Sequence, residues 1–467
     1  MIQATAGQIL VNDALPPEYR DYERQMSGGP LDDVLEQVAR EKPELYKEIS
    51  HKLMQLGARA SYLGGTTIGM DDLDPVDPKF RQEIFDFVDK QEAVIEKSKL
   101  SEEEQEIALS DLYQKAHTML IDNTMQAGTA KEHSIVNQVR AKARGNPLQV
   151  TAMLSSPAKF TDASGKLIPL FIRRSYAEGL RPEEFYAATF GARQGVISTK
   201  FATAQAGDFG KQMSLAAADI MVTEDDCGTM SGIPVSTTDK DNIGALLARN
   251  AHGFDRDSAI DPKMFKRMSK KDGKILVRSP LTCAAGKGVC RKCAGLDESG
   301  KLPAIGASVG VTASSALAER IAQGSLNAKH TGGQKEDGGE RVYAGFPIIN
   351  QLGQVPKQFP HRAPLAESGG TIDAINEAPQ GGWNVMINGE AHYVEPDQTV
   401  NVKVGDEVEP GDQLSTGIIS PADVVRLKGI GEGRRYYTER MLRAFSDSGM
   451  KAHRRNLEFV AKGAIDH

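Results

Sequence analysis

Four residues of this 467-residue chain can close around one soft metal ion: Cys227, Cys283, Cys290 and Cys293, which are all the cysteines it has. Their spacing is one distant cysteine followed by C-x6-C-x2-C. Four thiolates form a closed tetrahedral Zn2+ site of the structural kind, with no position left for a reacting water. Gly286, Gly288 and Gly295 allow the tight turns that aim backbone N–H groups at sulfur, and Lys287, Arg291 and Lys292 offset the charge. The run GVCRKCAG is too polar for a core strand, which argues against four reduced core cysteines. In a large chain whose N-terminus, MIQATAGQILVNDALPPEYRDY, lacks a basic and an apolar region, such clustering favours metal over disulfides. Metal binding of this kind adds to folding rather than to chemistry. An independent zinc enzyme is excluded, because every thiolate is spent on the closed site.

Other residues have chemical potential that their types alone do not settle. His330 precedes Thr-Gly-Gly, a helix stop with freedom beyond it. A lone histidine is commonly a surface or capping residue. Arg140, Lys142 and Arg144 precede a Gly-Asn-Pro turn; a guanidinium there can fork onto phosphate, although such basic runs are usually solvated. Asp71 and Asp72 look like a catalytic pair, but a loop or cap role is the better reading.

The elements that must hold these groups can be read from periodicity. From Arg181 to Cys227 apolar residues recur at helical spacing (Phe185, Phe190, Ile197, Phe201, Ala204), with Pro182 suited to a first turn. The pattern predicts one long helix and a second behind it, broken near Gly207 or Gly210. Gly191, Gly195, Gly207 and Gly210 each cost about 1 kcal/mol within a helix, so they need a reason such as close approach or bending. Residues 78–126 predict a helical hairpin, with stripes at Phe80, Ile84, Val88 and Ile95 and at Leu109, Leu112, Tyr113, Ala116 and Leu120. Ser101 and Glu104 form a capping box at the start of its second helix. Residues 156–172 predict a hairpin turning at Ala163–Gly165. Residues 228–282 form a small lobe with a basic surface run, KRMSKKDGK. From Trp383 to Ser420 the pattern is β, with a turn at Asn388-Gly389 and two Gly-Asp turns, and two or three helices follow Pro421. The basic KAHRR cluster (451–455) reads as a solvated helix face, with phosphate contact as the alternative.

The net charge of −7 speaks against a free-standing non-specific nucleic-acid binder, but not against a subunit lining part of a channel. Forty per cent hydrophobic and 25% charged residues is ordinary for a soluble protein, and there is no apolar run long enough for a membrane span.

The wording of several stretches resembles one family. GARQGVISTKFATAQAGDFG, leading to EDDCGT, is similar to the bridge helix and zinc ligand of the largest catalytic subunit (β′) of multisubunit DNA-dependent RNA polymerases. Gly191, Ala192, Arg193, Gly195, Thr199, Thr203, Ala204 and Gly207 stand in matching places. SPLTC and GVCRKC resemble the second zinc site of bacterial β′. GASVGVTASSALAERIAQGSLNAKHTGG (306–333) resembles, without a gap, the family's trigger helix, with Gly306, Val309, Gly310, Ala313, Glu319, Gln323 and His330 matching. VRAKARGNP resembles a loop whose arginine, here Arg144, reaches the phosphates of the incoming nucleotide. Leu326 replaces a methionine that stacks on the base, Asn327 replaces a phosphate-binding arginine, and Lys329 replaces an aromatic residue.

The resemblance implies an α+β multidomain fold. Its parts would be a pore or funnel entry region (1–75), a helical hairpin at the secondary-channel rim (76–130) and a phosphate-contacting loop segment (131–180). The bridge helix and following helix (181–226), a zinc-bound lobe (227–295), and the trigger helix with its loop and a jaw-like region (306–382) come next. A sandwich-barrel-hybrid-like β module (383–420) and C-terminal helices at the clamp base (421–467) complete it. It also implies DNA-directed RNA synthesis in a cytoplasmic complex, or in a virion if phage-encoded. Partners would be the N-terminal β′ half, β, a sigma-like or assembly subunit, DNA template, RNA and nucleoside triphosphates. In this reading His330, Leu326, Asn327 and Gln323 of the trigger helix face the nucleotide, and Thr203 and Ala204 of the bridge helix abut the templating base. The family's NADFDGD loop is absent; IFDFVDK (84–90) lacks its third aspartate and glycine. The catalytic Mg2+ would therefore sit on carboxylates of another chain, as in a split, phage-encoded β′. The alternative is a non-catalytic zinc-bearing assembly or DNA-binding subunit of the same fold, favoured by the loss of the arginine at Asn327.

Overall fold

The computed structural model describes residues 4–65, 67–162, 167–197, 200–201, 203–325, 346–396 and 398–465. These fall into two compact units, the first ending at Lys200 and the second beginning at Phe201.

The first unit is helical. Helices α1 (Ala6–Asp13), α2 (Gly28–Glu41) and α3 (Pro43–Gly64) enclose a small core of Leu15, Tyr19, Val34, Val38 and Ile49. Thr5 and Gln8 cap α1 reciprocally, satisfying two backbone donors that its first turn leaves free. Asp72 takes a capping role. Its carboxylate accepts from Gly69 N at 2.8 Å and caps a short 3-10 turn, Met70–Leu73. Helices α4 (Pro78–Glu96) and α5 (Glu102–Ala130) form the hairpin whose stripes the sequence carries. Asp77 caps α4, and the Ser101–Glu104 box starts α5. Ile84, Phe85 and Val88 pack against Leu112, Tyr113, Ala116 and Leu120, while Phe80 is left partly exposed. Each such side chain, fully buried, contributes about 1.5–3 kcal/mol.

Helices α6 (Ser134–Arg140) and α7 (Pro147–Leu154) follow. Antiparallel bridges Ala158↔Ile172 and Thr161↔Leu167 then flank the turn placed by sequence at Ala163–Gly165, whose residues lie outside those described. Phe171 from this segment meets Phe85 and Tyr113 with ring centroids 5.9 and 5.2 Å away. Helix α8 (Pro182–Ile197) starts on a buried carboxylate. Glu184 accepts from Arg173 N and Arg181 N, both at 2.9 Å, and so ties the helix start to the strand segment before it.

The second unit begins with α9 (Thr203–Ala216). Gly207 and Gly210 lie inside α9, so the expected break does not fall at either of them; residues 198, 199 and 202, between α8 and α9, lie outside those described. Strand β1 (Val222–Glu224) comes next, then a lobe built on β2 (Ile233–Ser236), α10 (Pro262–Met268) and β3 (Lys274–Val277). β2 and β3 pair antiparallel over a core of Val235, Leu247, Ile260, Met264, Met268, Ile275 and Val277. Strand β4 (Val289–Cys290) returns to pair parallel with β1 and runs directly into the one-turn helix α11 (Arg291–Ala294).

Helices α12 (Val309–Ser325) and α13 (Phe346–Gln354) lead to a curled antiparallel sheet. Its strands are β5 (Gly370–Glu377), β6 (Trp383–Ile387), β7 (Glu390–Val394) and β8 (Glu407–Val408), in the order β7-β6-β5-β8. The sheet thus begins at Gly370, ahead of Trp383, where alternation alone places its start. A register shift between Ile372 and Ala374 breaks the period-two pattern of β5, so its alternation is incomplete. Asn388 and Gly389 have φ +51° and +81°, the two left-handed residues that a tight β6–β7 hairpin requires.

Helices α14 (Pro421–Lys428), α15 (Ile430–Asp447) and α16 (Arg454–Ala464) complete the unit. Its main core gathers Phe209 and Met213 of α9, Leu317 and Ile321 of α12, and Ile349 and Leu352 of α13. Tyr437, Met441 and Phe445 of α15 join them, with Leu457 and Val460 of α16.

Candidate metal centre and its neighbouring helices

The four cysteines, far apart in sequence, meet in the second unit. The strand pair β1–β4 does this: β1 carries the chain to Cys227, and β4 ends on Cys290. The side chain of Cys290 caps α11, with Cys293 N donating to its sulfur at 3.3 Å. Cys290 N donates to Cys283 Sγ, also at 3.3 Å. Gly288 is required here. It has φ +64°, and a Cβ would stand 2.1 Å from the Met221 carbonyl oxygen. All four sulfurs lie within 4.8 Å of one another, and Cys227 and Cys293 are 3.7 Å apart. A tetrahedral zinc with Zn–S bonds of about 2.3 Å needs sulfurs about 3.8 Å apart, so this donor set fits the ion. Zinc bound here would fix the strand pair, α11 and the 227 loop together and would supply no reactive position.

The thiols perturb one another as crowded ligands do. Hydrogen bonds from Cys283 and Cys293 pull the Cys290 thiol far down, while Cys283, bonded to that sulfur, is pushed up to about 11. A divalent cation at the centre removes this conflict by favouring four thiolates.

Around the sulfurs lies a network that the spacing does not disclose. Arg278 of the β3 exit has a fully buried side chain. Its Nη2 lies 2.5 Å from Asp226, 3.5 Å from Cys227 Sγ and 3.7 Å from Cys290 Sγ, and its Nη1 lies 2.8 Å from Asp257. Lys292 bridges Asp226 and Asp257, at 2.8 Å each. Burial works against it, but the hydrogen bonds from Lys292, Gly228 N and Arg278 hold the Asp226 carboxyl at about 2. The three cations expected to offset the cluster act otherwise. Lys287 is exposed, Arg291 pairs with Asp225 at 2.8 Å, and Lys292 serves the aspartates.

Helix α16 closes the lobe. Ser279 donates to the buried Glu458 at 2.8 Å, and Arg454 reaches Asp239, Asn242 and Glu458. Arg455 donates to the Leu296 carbonyl at 3.2 Å, and a Cβ on Gly295 would strike its guanidinium. The arginines of KAHRR are therefore neither a solvated face nor free for phosphate. The lobe consumes both.

Helices α9 and α12 pack at short range. A Cβ on Gly210 would lie 2.9 Å from Ala318 Cβ, and one on Gly310 would lie 2.1 Å from the Ala217 carbonyl oxygen. Ser314 and Ser214 bond across the crossing at 3.1 Å. Gly324, a breaker by type, stays within α12 and faces the Met450 sulfur. Thr203 and Ala204 are exposed at the start of α9. Gln323 is exposed near the end of α12 and donates to Glu319 at 3.1 Å. Leu326, Asn327, Lys329 and His330 lie outside the described residues. In the first unit Arg144 is exposed on the turn between α6 and α7.

This arrangement agrees with comparison to known proteins. A family model described as RNA polymerase Rpb1, domain 5, matches residues 179–367. That span holds α9, the cysteine cluster and α12. The β′ subunit of the DNA-directed RNA polymerase of Leifsonia xyli subsp. xyli is 28% identical over 498 residues, covering 99% of this chain and 38% of the relative. That of Moorella thermoacetica is 29% identical over 501 residues, covering 99% and 42%. The chain is homologous to part of an RNA polymerase β′ subunit. It spans about two fifths of the length of the β′ relatives it matches. These relatives are bacterial, and they give a phage origin no support. Among the described residues no helix is long and apolar enough to cross a membrane.

Proposed function

We propose that this chain supplies the bridge-helix and trigger-loop portion of a DNA-directed RNA polymerase, working only within a multisubunit complex. The observation that carries this reading is the match to β′ along 99% of the chain, with the described part of the bridge and trigger wording falling on helices α8, α9 and α12. In this reading α8 and α9 carry the bridge sequence, and Thr203 and Ala204 present a small exposed surface to the templating base. The residues after α12 fold over the incoming nucleotide, Leu326 against the base and His330 at the phosphates as a positional or acid group. Gln323 and Asn327 contribute the polar edge of that surface. Arg144 steadies the triphosphate through its planar fork. In this reading magnesium chemistry comes from carboxylates of another chain, since two-metal nucleotidyl transfer needs the set that the family's NADFDGD wording supplies and this sequence lacks that wording. Zinc at the four cysteines is structural. Partners are the remaining β′ part, β, a sigma-like or assembly subunit, the DNA template, RNA and nucleoside triphosphates.

The test is RNA extension on a primed DNA template, comparing the chain alone with the complex that forms around it. Extension is expected from the complex only, falling about 10²-fold or more with His330→Ala. Extension by the chain alone refutes the assignment of the magnesium site elsewhere. An intact complex without extension, or one indifferent to His330→Ala, favours a non-catalytic assembly or DNA-binding role, which the asparagine at position 327 would suit.

A further inference from the structure

We propose that Arg278 is a positioning residue for the zinc site, with a guanidinium that bonds two of the ligand sulfurs and holds the metal in place. The inference rests on the zinc reading of the four cysteines and goes beyond it. Four thiolates around one Zn2+ carry a net charge of −2, and Asp226 and Asp257 add two more negative charges beside them. Such a centre, buried, needs cations that touch it. Of the groups facing the cluster, Lys292 spends its ammonium on the two aspartates, Arg291 turns to Asp225, and Lys462 of α16 is buried within the electrostatic field of the cysteines. Among the cationic side chains of the described residues, Arg278 is the one that donates to ligand sulfurs, at 3.5 Å to Cys227 and 3.7 Å to Cys290.

The geometry also explains why the residue is arginine. Nη1 serves Asp257 while the two N–H bonds of Nη2 are shared among Asp226 and the two sulfurs, a span from Asp257 to the cluster that a single ammonium cannot cover from one place. The two bonded sulfurs come from different segments. Cys227 lies on the loop after β1, and Cys290 lies at the end of β4. Asp257 belongs to the β2–β3 lobe, so the same guanidinium joins that lobe to the metal site. An N–H donor withdraws electron density from a thiolate. That lowers its reactivity toward electrophiles and slows its exchange off the metal. Removing an outer partner of this kind typically costs 10–100-fold in metal affinity.

The experiment uses the purified full chain. Zinc content is measured by mass spectrometry, zinc loss to a chromogenic chelator is timed, and the cobalt-substituted protein is read by its thiolate-to-cobalt charge-transfer bands. Wild type is expected to hold one zinc. Arg278→Met should lose it about 10–100-fold faster and shift the charge-transfer bands to lower energy, because the thiolates become more electron-rich. Arg278→Lys, which keeps the charge without the fork, should fall between, and it serves if Arg278→Met does not fold. Asp257→Asn removes an ion pair but leaves the N–H···S contacts, so it should lower thermal stability while the bands stay in place. Zinc loss at the wild-type rate from both Arg278 variants overturns the proposal. So do band shifts in Asp257→Asn as large as those in Arg278→Met, which would make Arg278 a purely structural partner. A wild-type chain that takes up neither zinc nor cobalt overturns the zinc reading itself.

Discussion

Replacing Gly310 with alanine and, separately, Gly207 with alanine should move stability in opposite directions, although the chemical change is the same. Both glycines are helical and both lie in the second unit. At Gly310 the new methyl would sit 2.1 Å from the Ala217 carbonyl oxygen and 2.8 Å from Ile220 Cβ. A relaxed contact needs well over 3 Å, so α12 must retreat by about 1 Å from backbone that has no rotamer to yield. That retreat also strains the hydrogen bond from Gly310 N to Ile220 O, now 2.9 Å. Overpacking costs about 1–3 kcal/mol and a weakened hydrogen bond about 1 kcal/mol. Removing a helical glycine returns about 1 kcal/mol. The net expectation is about 1–3 kcal/mol of destabilisation. Nothing lies within 4 Å of a Cβ built on Gly207, so only the propensity gain remains there, and the variant should be more stable by about 0.5–1 kcal/mol. The assay is urea unfolding of the full chain, following the transition that contains the second unit, with the two slopes compared to show that the unfolded states match. A Gly310→Ala protein as stable as wild type, or a Gly207→Ala protein destabilised to the same degree, would refute the close-approach argument. If Gly207 has a role, it is in bending rather than packing, and then Gly207→Ala should slow RNA extension by the assembled enzyme while raising stability.

Three further expectations concern charge. His117 is buried in the first unit, and burial, helped by the field of Lys159, holds it down at about 4. A base with a depressed folded value stabilises the fold fully above its ordinary value of 6.5 and loses that contribution as pH falls toward 4, here about 3 kcal/mol in all. His117→Gln should flatten the stability profile of that unit between pH 6.5 and 4; an unchanged profile would place the titrating group elsewhere. Asp226 is held at about 2, so its stabilising effect is complete above the ordinary carboxylate range and disappears as pH falls through 2. Asp226→Asn should therefore cost stability at neutral pH and nothing measurable at pH 2, as read by thermal unfolding across that range. Glu458→Ala should cost about 1–3 kcal/mol, since it leaves the buried Ser279 hydroxyl without its acceptor while Arg454 keeps Asp239 and Asn242, whereas Glu458→Gln should cost less; equal losses would mean that the charge matters little.

How far the sequence could be read depended on whether a signal was local. The C-x2-C pair and its distant partner declare a ligand set through spacing alone. The Ser101–Glu104 box and the Asn388-Gly389 turn are likewise complete within a few residues, and the structure has both. Arg278 could not be found this way. In KILVRSP it reads as a charge ending a strand, and only the fold reveals that the β3 exit points into the cysteine cluster. Arg454 and Arg455 misled for the same reason, because basic clusters are usually solvated, whereas here the acceptors come from residues 239–242, 296 and 458. Gly207 and Gly210 drew the predicted helix break toward themselves by type. Gly210 is instead the price of close contact with Ala318, which only the partner helix could show. Glu184 looks like an ordinary first-turn acid, yet it is buried and binds the backbone of the preceding segment.

The closure of the cysteine lobe by α16 also sets a timetable for folding. Arg454 and its acceptor Asn242 are 212 residues apart, and Glu458 and Ser279 are 179 apart. At a ribosomal rate of about 5–20 residues per second, the lobe waits on the order of ten seconds or more before its covering helix exists. Throughout that interval Gly295, Leu296 and Ser279 face solvent or the wrong neighbour, and the four thiols can already capture a metal ion. Nascent chains of this protein should accordingly pass through a metal-loaded, uncovered intermediate. That intermediate would be the form most open to thiol oxidation and to chaperone capture during synthesis.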